Sequence, residues 1–205
     1  MRGNSKVVLL AGMFLCALLA FNTTAQAKNV VVSLTNYSPH FKADLSEYKG
    51  KRINLLDFHN EAKDTTLGYY FSLDRQYAYC GPSFIDNYFW YSFEKALLSL
   101  GMLVSDRNKP DPLAPAVWIT LKSMTDVKFE VELKLQKFVY GIQFTKTYAI
   151  TGEDLPVKVE LWTQDYLEKR AYNMTNKLFQ TILTDPEFKK AYLKAVADMA
   201  PSHGR

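Results

Sequence analysis

A short polar run in the first third of the sequence carries residue types that bind metal ions or activate water. Asp57 and His59 are two residues apart, so a β-strand would place both side chains on one face, and Glu61 could supply a third ligand. The sequence lacks the H-x-x-x-H and C-x-x-C spacings of common zinc sites. We therefore interpret the run as the polar end of a strand and predict no metal site, with a metal-dependent hydrolase as the less favoured alternative.

Nucleophilic catalysis has equally little support in the sequence. A Cys80–His59 pair would require the fold to bring the two residues together, and no G-x-S-x-G motif is present. The glycine patterns that cradle phosphates or dinucleotides are also absent. We therefore predict that the chain is not an enzyme, has no catalytic residues and needs no cofactor.

An aromatic segment after Pro82 has the clearest helical pattern. Its main apolar stripe recurs at helical spacing through Ile85, Phe89, Phe93, Ala96, Leu97 and Leu100. Ser83 is predicted to cap this helix with Asp86 as its capping-box partner, and Gly101 is predicted to end it.

Aromatic residues also lie outside that stripe, where a surface helix is normally polar. Phe84, Tyr88 and Tyr91 flank the stripe, and Trp90 lies on a third side. One interpretation, which we favour, is a helix sandwiched between the sheet and another element, with the Tyr-rich segment 67–79 as its cover. The other is an aromatic surface that binds a partner or lipid, for which these four residues are the candidates.

The elements around this helix indicate an α+β fold. Strands are predicted from apolar alternation and β-branched or aromatic content over 51–59, 67–79, 116–121, 127–136 and 139–150. Two C-terminal helices are predicted, divided at Asp185-Pro186 because Asp185 can cap and proline suits a first helical position. We predict an antiparallel sheet of about four strands with helices packed on one face, a two-layer sandwich.

The N-terminus has the order of a secretory signal peptide at residues 1–27. Arg2 and Lys6 precede the apolar run 7–21, and Ala25-Gln-Ala27 forms a small-residue cleavage site. An uncleaved membrane anchor is the alternative. Cys16 follows a leucine inside the apolar run, so we predict no lipid attachment there. The remainder, 28–205, is predicted to be one domain with a loose N-terminal arm at 28–50.

Composition limits the partners of that domain. The chain has 25 Lys+Arg against 21 Asp+Glu, and two of the basic residues lie in the predicted signal peptide, so nucleic acid is not expected as a partner. A hydrophobic fraction of 48% supports a packed core. After cleavage Cys80 is the only cysteine, either buried, as we favour, or paired with another chain.

The order of elements resembles a group of bacterial envelope proteins. The helix ending in Ala-Leu-Leu-Ser-Leu-Gly at 96–101, the strand Val117–Leu121 and the strand pair Phe129–Leu133 and Phe144–Tyr148 carry the resemblance, which extends over 84–192. The pattern is similar to the periplasmic YajG-like lipoproteins and the PqiC-like auxiliary lipoproteins of ABC-type lipid transport systems. The resemblance implies a small α/β sandwich that binds other envelope components and transfers no catalytic residues.

Together these features predict an exported, periplasmic, non-catalytic binding or accessory protein of the cell envelope, in lipid transport or envelope maintenance. Its expected partners are envelope proteins or lipid, and it would meet the membrane only through them. The lack of a lipobox sets it apart from the lipoproteins that it resembles. A carrier of lipid or another apolar ligand, with a pocket lined by Phe and Tyr, is the alternative from a different class. The sequence does not specify an oligomeric state.

Overall fold

The fold is described from a computed structural model, which covers residues 27–63, 65, 69–81, 84–106, 108–137, 141–151 and 163–199. The strands are β1 (Lys28–Val31), β2 (Arg52–Asn60), β3 (Tyr69–Phe71), β4 (Tyr77–Cys80), β5 (Leu103–Asp106), β6 (Ala116–Met124), β7 (Lys128–Lys137) and β8 (Gly141–Thr151). The α-helices are α1 (Ile85–Ser99), α2 (Gln164–Thr184) and α3 (Pro186–Met199). A 3-10 turn spans Ser46–Tyr48.

The described strands form two sheets, which corrects the prediction of one antiparallel sheet of about four strands. The larger sheet has the order β5-β2-β6-β7-β8, and the smaller has the order β1-β4-β3. In the larger sheet β2 pairs in parallel with both β5 and β6, whereas β6, β7 and β8 pair antiparallel. The α+β class is correct. The parallel pairs escaped prediction because they join segments that are far apart in sequence.

Strand β7 shows why the antiparallel part was predictable. Its apolar residues Phe129, Val131, Leu133 and Leu135 are all fully buried on one face. The charged residues between them lie on the opposite face, where Lys134 and Glu132 form an ion pair of 2.9 Å. This period-two pattern places one face in the core and the other toward water.

The three α-helices among the described residues pack on the apolar face of the larger sheet, as predicted. In α1, the Phe89 ring stacks on Phe58 of β2 at 5.4 Å between centroids. In α3, Phe188 contacts Phe144 of β8 at 5.9 Å, and Phe144 lies beside Leu135 in the sheet register. Helix α2 contacts β7 and β8 as well as α1, through Phe179. These contacts make a two-layer core.

The helix ends agree in part with the predicted signals. Gly101 follows α1 with φ of +74°, a conformation that favours glycine, and α3 begins at Pro186 with the Asp185 carboxylate accepting the Glu187 N–H at 3.1 Å. The predicted capping box of α1 is wrong. Phe84 occupies the cap position without a side-chain bond, and Asp86 accepts a hydrogen bond from Asn60 instead. Ser83 lies outside the described residues.

The segment 28–50, predicted to be a loose arm, is packed against the helices. Tyr37 donates its hydroxyl to Asn176 Oδ1 of α2 at 2.8 Å, and Tyr48 donates to the Leu183 carbonyl at 2.8 Å. Both rings are buried. Tertiary hydrogen bonds therefore fix a segment whose sequence has no clean periodicity.

Residues 1–26 lie outside the described residues, so the signal peptide remains a prediction. None of the helices in the described part of the chain is long and apolar enough to cross a membrane.

Candidate functional site

The outer side of α1 exposes an apolar stripe. Phe84, Tyr91 and Leu98 are separated by seven residues each, and 57%, 46% and 51% of their surfaces are exposed. Because seven residues make about two helical turns, the three lie along one side of the helix. Two of the four predicted binding residues, Phe84 and Tyr91, therefore lie on an accessible surface.

Trp90 is half-buried at the edge of this stripe. Its ring lies 6.0 Å from that of Phe58, which is itself stacked on Phe89. The indole is thus held by core contacts on one side while part of it remains open to solvent. Trp90 also belongs to the accessible set that was predicted.

Tyr88 does not belong to that set, which corrects the fourth predicted binding residue. Only 3% of its surface is exposed. Its ring lies 6.4 Å from both Tyr37 and Tyr172, and its hydroxyl is 3.1 Å from Thr175 Oγ1. Tyr88 is a core residue at the junction of α1, α2 and the N-terminal segment.

The outer side of α1 is exposed and its inner side is covered. Tyr70 of the predicted cover 67–79 interacts electrostatically with Tyr88 of α1. The N-terminal segment and α2 also cover the helix, through Tyr37 and Phe179.

Lys95 fixes the N-terminal part of this cover by donating to the carbonyls of Leu34 at 3.1 Å and Tyr37 at 2.5 Å. The sequence could not reveal this part of the cover because 28–50 has no strong pattern of its own.

Beside the exposed side of α1 lies a groove of about 300 Å³, open toward solvent. It runs between α1, the second half of β2 and the end of β5. Its lining residues are Leu55, Leu56, Asp57, Phe58, Asp86, Asn87, Trp90, Tyr91, Glu94, Ser105, Asp106 and Asn108. We call this feature the α1 groove.

The α1 groove lies where strand pairing stops. The four residues of β5 pair with Arg52–Leu55, and the register of β2 with β6 shifts between Leu55 and Asp57. Over 56–60, no strand among the described residues pairs with β2 on the β5 side. The Phe58 N–H donates to the Asp57 side chain at 2.9 Å. This stretch of β2 is therefore an open sheet edge.

Strand β5 is the element that sequence reasoning missed. The strands predicted from the sequence do not include Leu103 and Val104, because charged residues and prolines follow this short apolar pair closely. A partial signal was present: a short apolar pair directly follows the helix that ends at Gly101, although the predicted strand 67–79 separates that helix from 51–59.

The described lining of the α1 groove is negatively charged. Asp57, Asp86, Glu94 and Asp106 contribute four carboxylates, and the described lining residues include no Lys or Arg. Arg107 lies outside the described residues. Asp86 accepts from Asn60 Nδ2 at 2.7 Å, and Asp106 accepts the Asn108 N–H at 2.8 Å.

Glu94 differs from the other three carboxylates. Among the described residues its side chain has no hydrogen-bond or ion-pair partner. Partial burial, followed by repulsion from the Asp106 carboxylate, raises the pKa of Glu94. The attraction of a cation placed near Glu94 would offset both effects.

Among the described residues, the three candidate ligands of the polar run at the end of β2 are not arranged around one metal ion. Asp57 Oδ2 and His59 Nε2 are 3.0 Å apart, but the Glu61 carboxylate pairs with Lys122 Nζ at 2.6 Å. Within the described residues, no group of three or more His, Cys, Asp or Glu side chains is arranged to hold a metal ion. The absence of catalysis remains a prediction.

Two further predictions concern the burial of Cys80 and a pocket lined by Phe and Tyr. Cys80 at the end of β4 is half-buried and free, rather than fully buried. A second cavity of about 270 Å³ lies between α3 and the β7–β8 pair. It is lined by Lys137, Gln143, Glu187, Lys190, Ala191, Lys194 and Ala195, rather than by Phe and Tyr as predicted for an apolar-ligand carrier.

Comparison with known proteins yields no family assignment. No protein-family model matches the chain, and no curated protein matches it in sequence. Among solved structures it is similar to a Xanthomonas campestris protein of the family DUF330, with 10% identity, a TM-score of 0.47, and coverage of 80% of this chain and 99% of that one. An uncharacterized protein gives 12% identity and a TM-score of 0.43, covering 76% and 99%. Likenesses of this size establish neither a family nor a function.

Proposed function

We propose that this chain is an exported, non-catalytic binding protein of the bacterial cell envelope that captures a partner protein through the exposed side of α1. The observation that carries the proposal is the stripe of Phe84, Tyr91 and Leu98, with Trp90 at its edge. These exposed apolar side chains lie along one side of the helix beside a concave surface, and aromatic residues are enriched at protein interaction sites.

Two sequence features support the place of action. The order of basic, apolar and small residues over 1–27 supports export. The pattern-level resemblance to YajG-like and PqiC-like envelope proteins supports a partner among envelope components. Assistance to lipid transport is the specific role that this resemblance favours.

Photo-crosslinking in the native envelope tests the binding surface. The full chain would carry benzoylphenylalanine at position 91 or, as a control, at position 147 on the opposite, solvent-facing side of the sheet. We expect a defined protein adduct from position 91 and none from position 147. Equal adducts from both positions, or an adduct with lipid alone, would contradict the proposal, and recovery of bound lipid would favour the carrier.

Matched substitutions separate binding from folding. Tyr91→Ser and Leu98→Ser should abolish capture of the crosslinked partner while leaving the circular dichroism spectrum unchanged. Tyr69→Ser and Leu73→Ser remove exposed apolar side chains from other surfaces and should leave capture intact. An enzymatic turnover that disappears in a His59→Ala variant would contradict the non-catalytic role.

Export is tested by fractionation and N-terminal sequencing. We expect a periplasmic protein that begins at Lys28. A cytosolic pool with an intact Met1 would contradict the envelope location.

A further inference from the structure

We propose that the α1 groove recognises an extended partner segment that carries lysine or arginine and adds as a strand beside residues 56–60 of β2. This inference rests on the proposed function and specifies the chemistry of the partner. The groove combines an open strand edge, negatively charged carboxylates and aromatic side chains within about 300 Å³.

The strand edge supplies the backbone part of the recognition. Strand β2 has nine residues and β5 has four, so the sheet position beside the second half of β2 is vacant among the described elements. A peptide that enters there continues the line of β5 and pairs with main-chain groups, as in strand addition generally. The Phe58 N–H, which now donates to its neighbour Asp57, is one group that such a strand could bind.

The charges determine which side chains the segment must carry. Four carboxylates line the groove, and Glu94 has no partner of its own among the described residues. A lysine or arginine that enters between Glu94 and Asp106 would therefore gain electrostatic attraction, whereas an acidic segment would be repelled.

The aromatic residues favour the same side chains. Trp90 and Tyr91 line the groove next to Glu94, one turn earlier in α1. The face of an indole or phenol ring attracts a cationic group, and the attraction strengthens when water is excluded. Aliphatic stems of lysine and arginine can also cover the exposed parts of both rings.

The same charges argue against a second copy of this chain as the occupant. A two-fold dimer contact uses the same surface on both subunits. A symmetric contact through the α1 groove would bring its carboxylates toward those of the other copy. A symmetric dimer through the groove is therefore disfavoured, and the occupant that we propose is a basic segment of a different protein.

A peptide-binding measurement tests the charge preference on the full chain without its predicted signal peptide. The probe is a fluorescein-labelled hexapeptide that alternates lysine and valine, and the control probe alternates glutamate and valine. We expect fluorescence anisotropy to report at least about tenfold tighter binding of the lysine probe, with weaker binding as salt rises. Equal binding of the two probes would overturn the proposal.

Substitutions locate the binding to the groove. Glu94→Gln combined with Asp106→Asn should weaken binding of the lysine probe by about tenfold, and the fold should persist because the new amide oxygen can still accept the Asn108 N–H. Asp165→Asn combined with Glu132→Gln removes the same charge from other surfaces and should leave binding unchanged. An equal loss in both variants would indicate attraction to net charge alone and contradict a site in the groove.

Backbone methylation tests the strand addition. A lysine probe with N-methyl groups at alternate residues keeps its charges but loses main-chain donors on one edge. Two such probes, methylated at odd or even positions, cover both edges. At least one should lose binding, and full binding of both would overturn strand pairing.

The results of the peptide-binding tests can be separated from those of the crosslinking test of the proposed function. A protein adduct from position 91 without preference for the lysine probe would support the binding surface and overturn this inference. Loss of the adduct would contradict the proposed function, whatever the peptide result.

Discussion

The two halves of the larger sheet are built differently. On one side β6, β7 and β8 pair antiparallel, and β7 and β8 have ten and eleven residues with a register that runs from Lys128–Thr151 to Lys137–Gly141. On the other side the four-residue β5 covers less than half of the nine-residue β2. In the local hairpin β7 and β8 pair with each other along nearly their whole length, whereas the short distant strand pairs with only part of β2 and leaves the α1 groove. The candidate binding site thus lies in the half with incomplete pairing.

The largest expected effect concerns the core of the antiparallel half. Leu133→Ala should lower the free energy of unfolding by about 2–5 kcal/mol, because Leu133 is fully buried and its removal leaves a cavity. Leu103→Ala on β5 should change it by less than about 0.5 kcal/mol, because Leu103 is 56% exposed. Urea unfolding followed by circular dichroism measures both. Similar losses would show that the two halves do not differ in this way.

The next effect concerns the buried polar contact that anchors the parallel half. Asn54 donates to the carbonyls of Asp111 at 2.8 Å and Ala114 at 2.9 Å, and its Oδ1 accepts the Asp111 N–H at 2.8 Å. Asn54→Ala should cost about 2–3 kcal/mol because buried backbone groups lose their partners.

The matched control is an asparagine in the loop between β5 and β6, which Asn54 contacts. Asn108 is exposed, so Asn108→Ala should leave the free energy of unfolding nearly unchanged. If Asn54→Ala were equally harmless in the same urea titration, the parallel half would not depend on this contact.

A smaller effect is expected at the turn that leads from α1 into β5. Gly101→Ala should cost about 1–2 kcal/mol, because φ is +74° and a Cβ would lie 3.3 Å from the Lys49 side chain. Gly141→Ala in the β7–β8 hairpin shares the positive φ but meets no neighbour within 4 Å, so it should cost less. Thermal unfolding of the two variants compares the turns, and a larger loss at Gly141 would reverse the ranking.

The smallest effect is a gain in stability at the α1 groove. Glu94→Gln should raise the free energy of unfolding at neutral pH by about a few tenths of a kcal/mol, since solvent screens this half-exposed carboxylate. The raised pKa of Glu94 means that folding favours its protonated form, so stability is lost as pH rises above the ordinary glutamate pKa of about 4.3. The variant and the wild type should therefore converge below that pH in urea titrations. A loss of stability at neutral pH would show that Glu94 supports the fold rather than a ligand.

The sequence predicted the antiparallel half because its information is local. The alternation that predicts β7 and the strand composition that predicts β8 require only neighbouring residues, and both strands and their antiparallel pairing are confirmed. The parallel half was not predictable in the same way. Strand β5 has only four residues, and its place beside β2 depends on contacts across about fifty positions. Parallel pairing of distant segments leaves no short-range pattern.

The candidate site was also predictable only in part. Helical spacing placed Phe84 and Tyr91 away from the main stripe, and both are exposed. Tyr88 has the same chemical character and is buried, because residues from 28–50 cover it. The groove itself depends on where β5 stops, which the sequence did not reveal.

The buried tyrosines that join the N-terminal segment, both sheets and the helices have a consequence at alkaline pH. Burial raises the pKa of Tyr37, Tyr48, Tyr70, Tyr79, Tyr88 and Tyr192. Their phenols stay protonated in the folded state, whereas an unfolded chain would ionise them near pH 10. Folding therefore loses stability as pH rises above that value, and several phenols would ionise together when the core opens. Phenolate absorbance is thus an intrinsic optical signal for the opening of the whole fold.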